Sequence, residues 1–251
     1  MALVTGGSAG IGLALARRLA MEGHDLVLVA RDATRLRAAA DELERAHGAG
    51  VEVLAADLSD REQLQTVADR LADADRPVDV LVNNAGFALH SGFLRSEVAD
   101  QERLLGVHCR ATLVLTHAAG RAMAARGRGA VVNVSSVAAL TALGSYAAAK
   151  AWVSTFSEAM AVELAPKGVT VTALHPGYVR TELVGDLADK LPKFAFVDGD
   201  RLAQECMAAV ARGRVIVTPT KRYAVASAVL RRLPRGAVRA VSGGRRVRRV
   251  R

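Results

Sequence analysis

Tyr146 and Lys150 are the side chains in this sequence best suited to moving a proton. They stand four residues apart in Tyr146-Ala147-Ala148-Ala149-Lys150, at the start of a stretch with helical spacing, so phenol and ammonium fall on one helix face. A free tyrosine has a pKa of about 10, too high for efficient acid–base work near neutrality. A fixed ammonium beside it favours the phenolate and lowers that value. The spacing alone is common among surface pairs, so its company matters. Near the other end lies Thr5-Gly6-Gly7-Ser8-Ala9-Gly10-Ile11-Gly12, between an apolar run and a helical stretch. Glycines let the backbone approach a pyrophosphate, and the free N–H groups and dipole of a helix N-terminus favour its charge. A nucleoside-triphosphate loop would need Lys and Ser/Thr after Gly12, but Leu13 and Ala14 follow.

Elements that could hold these two segments together are written in the hydrophobic period. Apolar runs without alternation occur at Ala2–Thr5, Asp25–Ala30, Val51–Ala56, Val78–Val82, Ala130–Val134, Val169–Leu174 and Arg214–Val217. Such strands are apolar on both faces, as in a parallel sheet covered by helices. Helical spacing fills the intervals at Ile11–Met21, Ala33–Ala46, Asp60–Ala74, Val98–Ala125 and Tyr146–Ala165. Right-handed crossovers then predict an α/β fold: a doubly wound, Rossmann-type parallel sheet in a single domain. The domain is assigned to residues 1–220, a basic helical extension to 221–240 and an Arg-rich, disordered tail to 241–251. In Rossmann units an acidic residue ending the second strand takes the ribose 2′-hydroxyl, whereas an Arg there accommodates a 2′-phosphate. Here Ala30 is followed by Arg31, which predicts NADP(H) rather than NAD. The competing reading makes Arg31 part of a solvated loop, with Asp32 capping the next helix.

Of the 251 residues, 51% are hydrophobic and 24% charged, an ordinary globular balance. No apolar run approaches the ~18 residues of a spanning helix, and the first residues lack a signal peptide's basic start. Cys109 and Cys206 stand far apart, outside any metal-ligand spacing, so no metal site is expected and a cytoplasmic setting fits. The net charge of +9 is unevenly spread. Up to Glu205 there are 21 basic and 25 acidic residues, and from Cys206 onward 13 basic and none acidic. A body without excess positive charge argues against nucleic acid as the main partner.

Taken in order, these segments closely resemble the short-chain dehydrogenase/reductase family from Ala2 to about Val217. The family's glycine motif is matched by Thr5 to Gly12, its Asp after the third strand by Asp57 with Leu58, and its NNAG motif by Asn83-Asn84-Ala85-Gly86. Its active-site serine lies in Asn133-Val134-Ser135-Ser136, its YxxxK is Tyr146 and Lys150, and its PG motif with downstream Thr is Pro176-Gly177 and Thr181. The resemblance implies a homodimer or homotetramer assembled through the helices containing Val98–Ala125 and Tyr146–Ala165. It implies that Tyr146 is general acid in carbonyl reduction and general base in alcohol oxidation, with Ser136 rather than Ser135 bonding the substrate oxygen. Lys150 would hold the nicotinamide ribose and lower the Tyr146 pKa. Cofactor contacts would come from Gly6, Ser8, Gly10, Ile11, Gly12, Arg31, Asp57, Leu58, Asn83, Val179 and Thr181.

Two departures stand out. Ser136 and Tyr146 are ten residues apart, shorter than the commonest family spacing, so the loop at Leu140–Gly144 is trimmed. His108 stands where the family usually has an Asn that holds a proton-relay water; as a relay, His108 would titrate near its ordinary pKa of about 6.5 unless burial moves it. The expected pocket rim, Leu89, Phe93, Leu140, Leu143, Tyr178, Leu183 and Phe194, is mostly apolar and predicts a lipophilic carbonyl or alcohol, with 181–200 as a lid. A catalytically weak nucleotide-binding or sensing protein is the alternative that His108 raises. The basic end at Lys221–Leu233 and Arg245–Arg251 suggests weak contact with an anionic membrane.

Overall fold

Strands and helices alternate as the apolar runs predict. The structure, a computed structural model, describes residues 1–89, 91–179 and 192–243. Its first half contains β1 (Ala2–Thr5), α1 (Gly10–Met21), β2 (Leu26–Ala30), α2 (Ala33–His47), β3 (Val51–Ala55), α3 (Arg61–Ala72) and β4 (Val80–Asn83). Then come α4 (Val98–Leu105), a π-helical segment at Gly106–Ala111, and α5 (Thr112–Arg126), which follow one another without a break. The second half contains β5 (Gly129–Val134), α6 (Gly144–Leu164), β6 (Val169–Leu174), β7 (Tyr178–Val179), β8 (Phe196–Val197), α7 (Gly199–Val210), β9 (Ile216–Val217), α8 (Lys221–Arg232) and α9 (Arg235–Gly243).

Seven parallel strands form one sheet in the order β3-β2-β1-β4-β5-β6-β9, and β7 pairs with β8 apart from it. Successive side chains of a strand point to opposite faces, so β1 places Ala2 and Val4 in one core and Leu3 in the other. The first core is closed by α1, α2 and α7 through Leu15, Leu19, Leu36, Leu43 and Leu202, and the second by α3, α5 and α6 through Leu64, Leu71, Leu115, Met123 and Ala161. Each fully buried leucine stabilises the fold by about 1.5–3 kcal/mol. Strand order reverses between β1 and β4, and the carboxyl ends of strands at such a reversal open the crevice where a doubly wound sheet takes its ligand.

The C-terminal end departs from expectation. Residues 241–243 belong to α9, not to an unpacked tail. Val238 is 1% exposed, and the Ser242 hydroxyl accepts a hydrogen bond from Ala142 N at 3.0 Å. An amphipathic helix with one valine to bury has packed onto the shortened loop. Residues 244–251, Thr181 and Leu183 lie outside the described residues.

Candidate active site

One cleft of about 1210 Å³ runs from the glycine turn to the inner face of α8, and it contains both segments singled out by their chemistry. At the first end, Gly6, Ser8, Gly10 and Ile11 line it. Gly6 (φ 65°) and Gly10 (φ 56°) occupy left-handed backbone that a side chain would strain. Gly12 is not in the lining. It serves by closeness, since a Cβ there would collide with the Gly6 carbonyl and the Asn84 amide. Whereas α2, α3 and α7 are capped by Asp32, Asp60 and Asp198, the N-cap of α1 is Ala9, which offers no side-chain acceptor. The α1 N-terminus thus keeps its N–H groups for an anion, and this cradle fits the pyrophosphate of a dinucleotide.

Further along, Val29, Ala30, Arg31, Asp32 and Arg35 line the cleft at and beyond the end of β2. Arg31 is exposed, and Arg35 sits one turn on in α2. Asp57 and Leu58 follow β3 in the lining. Burial alone would raise the Asp57 carboxyl, but bonds from Ser59 N and Oγ (2.8 and 2.7 Å) and the Arg103 guanidinium (3.0 Å) hold it below its ordinary value. Asn83 does not reach the cleft. Its amide donates to Asn133 Oδ1 (2.8 Å) and Thr116 Oγ1 (3.1 Å) in a buried network that continues to Ser157, while the neighbouring Asn84 lines the cleft and bonds the Thr5 carbonyl.

At the chemical end, α6 projects Tyr146 and Lys150 into the cleft, and β5 delivers Ser136 opposite them. Ser136 caps the short 3-10 helix Val137–Leu140, its hydroxyl accepting from Ala138 N at 3.1 Å, and it lines the same cleft as Tyr146. Ser135 is committed elsewhere: its hydroxyl bonds the Lys150 carbonyl and Ser154, whose own hydroxyl reaches His175 Nε2 at 2.9 Å. The Lys150 ammonium is buried, donates to the Val134 carbonyl at 2.7 Å and lies 5.8 Å from the Tyr146 ring centre. Burial pushes its pKa down to about 8, so it remains largely protonated at neutrality. Lys150 was expected to lower the Tyr146 pKa. In the structure burial raises it instead, with the nearby Ser136 hydroxyl opposing that rise.

His108 lies inside the π-helical segment, 1% exposed, its ring edge-on to Tyr146 at 5.5 Å and 89°. Nε2 lies 2.8 Å from the Phe87 carbonyl, and Gly86 must be glycine because a Cβ would strike the imidazole. Burial, with Lys150 adding to it, pushes the His108 pKa down to about 3. The expected titration near 6.5 is therefore corrected: this histidine stays neutral throughout the physiological range. Single π-turns inside helices gather at functional sites. The helical spacing of Val98–Ala125 gave no sign of this one.

Of the expected rim, Leu143 and Tyr178 line the cleft, as does Val179. Phe93 and Phe194 are largely exposed. The opposite wall comes instead from α8, through Tyr223, Ala226, Ser227 and Leu230. Tyr223 packs on the Pro176-Gly177 turn so closely that Gly177 admits no Cβ, and its hydroxyl donates to the Ala195 carbonyl at 2.7 Å. The spacing Tyr223, Ser227, Leu230 is a helix-face signal that could have revealed this wall, but the surrounding arginines made the segment look peripheral.

A family model for the short chain dehydrogenase matches residues 1–192. Galactitol 2-dehydrogenase (L-tagatose-forming) of Cereibacter sphaeroides is 40% identical over 187 residues, 72% of each chain. A short-chain dehydrogenase from Sphingobium yanoikuyae in complex with NADPH superposes with a TM-score of 0.85 at 35% identity, covering 92% of this chain and 91% of that one. A bulky-bulky ketone specific alcohol dehydrogenase from Comamonas testosteroni has a TM-score of 0.80 at 29% identity, covering 93% and 94%. With its fold, the motifs of its cleft and these likenesses in agreement, the chain belongs to the short-chain dehydrogenase/reductase family and is a nicotinamide-dependent oxidoreductase.

Proposed function

We propose that the protein interconverts a bulky, lipophilic ketone and its alcohol with NADP(H), using Tyr146 as the proton donor and acceptor. The observation that carries this reading is that Tyr146, Ser136 and Lys150 line the cleft that also contains the glycine turn, with the Lys150 ammonium 5.8 Å from the Tyr146 ring centre. When bound, the nicotinamide supplies or accepts the hydride. Ser136 orients the substrate oxygen by a hydrogen bond, and Tyr146 Oη gives it a proton in reduction or takes one in oxidation. Lys150 holds the cofactor ribose and keeps a buried cation in the cleft near the phenol. Gly6, Ser8, Gly10, Ile11, Asp57, Leu58 and Val179 hold the dinucleotide, with Gly12 giving the turn its closeness. The role expected of Asn83 passes to Asn84.

Arg31 supports the preference for the phosphorylated cofactor, and Arg35, one turn further on α2, adds a second guanidinium at the same end of the cleft. The wall of Val137, Leu143, Tyr178, Tyr223 and Leu230 supports a bulky apolar substrate. Assembly into a dimer or tetramer is supported by exposed Leu105, Leu113, Trp152 and Val162 on α4–α6. A panel of ketones and alcohols, followed by cofactor absorbance with NADPH and NADH, tests the function. Turnover of bulky ketones with a preference for NADPH is expected; a preference for NADH, or for small polar carbonyls, would contradict it.

A further inference from the structure

The two C-terminal helices carry a surface that the cleft does not use. On α8 the inner side walls the cleft, while Val225 and Val229 stand outward at 63% and 54% exposure, one turn apart. Lys221 and Arg232 fall on the same outward face by helical spacing, and both are exposed. On α9, Arg235, Arg239 and Val241 are exposed, the valine at 71%. Phe194, 72% exposed, is tied to the start of α8, because the Arg222 guanidinium donates to its carbonyl. No acidic residue occurs after Glu205, and the sequence beyond Gly243 adds Arg245, Arg246, Arg248, Arg249 and Arg251.

Cations alone would fit a solvated face or a nucleic acid. Exposed valines and a phenylalanine set among them gain nothing from water or phosphodiesters, but they gain from the acyl boundary of a bilayer whose headgroups attract the cations. We propose that the outer faces of α8 and α9, with Phe194, dock the protein on an anionic phospholipid bilayer. Among the described residues no helix is long and apolar enough to cross a membrane, so the contact is interfacial. Helix α8 would then meet lipid with its outer face while its inner face walls the cleft. Docking is read without turnover, so it stands or falls independently of the proposed reaction.

Flotation of the full-length protein with vesicles of phosphatidylcholine, alone or mixed with phosphatidylglycerol, tests this. Recovery with the anionic vesicles only, weakened by added salt, is expected. Val225→Ser combined with Val229→Ser should weaken binding roughly tenfold by removing inserted apolar surface. Lys221→Gln with Arg235→Gln and Arg239→Gln should weaken it by roughly fivefold per cation. All five side chains are exposed, so unchanged melting temperatures of both variants serve as the folding control. Equal recovery with the two vesicle types, or anionic binding that the valine variant keeps in full, would overturn the proposal. Binding to duplex DNA, unaffected by the valine changes and without vesicle recovery, would assign the surface to nucleic acid and overturn it as well.

Discussion

The cofactor end and the substrate end of the cleft are built in different ways. The glycine turn, Arg31, Arg35, Asp57 and Leu58 all follow the ends of adjacent strands, β1, β2 and β3, within the first 58 residues. Each is placed by its own strand-to-helix connection. The substrate end joins segments far apart in sequence: Phe87 after β4, the loop after β5, the turn after β6 and helix α8, with α9 bracing that loop through Ser242. A local turn tolerates little change but can be read from a few residues. A wall assembled from distant segments can vary freely, and that is where substrates are told apart.

This contrast orders the expected effects. Lys150→Ala removes the buried cation that both ends share, so it should lower kcat/KM by about 10²- to 10⁴-fold and also weaken cofactor binding, as steady-state kinetics and cofactor titration would register. Arg31→Ala acts at the cofactor end alone. It should weaken NADPH binding roughly 10- to 100-fold and leave NADH unchanged, a split that calorimetry resolves. Ser242→Ala acts at the substrate end alone, where loss of the bond to Ala142 N should cost about 1 kcal/mol and lower Tm by about 2–4 °C. It should raise KM for a bulky ketone more than it changes kcat or NADPH affinity; a shift in NADPH affinity instead would blur the division.

The smallest effect on turnover is expected at His108. Its pKa is held near 3 by burial, so His108→Asn should leave the pH–rate profile between about pH 6 and 8 unchanged. Acid stability is where the residue shows. An unfolded histidine binds a proton below about pH 6.5 while the folded one does not until about 3, so the unfolded state holds more protons in that window and stability falls as pH falls through it. His108→Asn should make this fall shallower without abolishing it, because His175, pushed down to about 4 by burial with Arg231 adding to it, behaves the same way. Acid titration followed by circular dichroism checks the slope, and an unaltered slope would contradict the burial argument.

How much of this was legible follows the same division. The parallel sheet could be read because its strands are apolar on both faces, and the glycine turn because only glycine accepts its backbone. Asn83 misled because a motif names residues, not directions: its amide turns into the core and leaves the cleft to Asn84. The His108 pKa was hidden because burial depends on Gly86 and Phe87, some twenty residues away. Helix α8 looked like a solvated extension because its arginines are on view in the sequence while Tyr223 and Leu230 show their purpose only against the Pro176-Gly177 turn.

The central claim is that Tyr146 carries the proton. Tyr146→Phe deletes one hydroxyl and keeps the ring that packs against His108, so the fold and the cofactor end should survive. With a ketone that the unmodified protein reduces, kcat should fall by about 10²-fold or more while NADPH affinity, followed by cofactor fluorescence, stays within about twofold. Near-normal turnover in this variant, with the cofactor bound as before, would contradict the account.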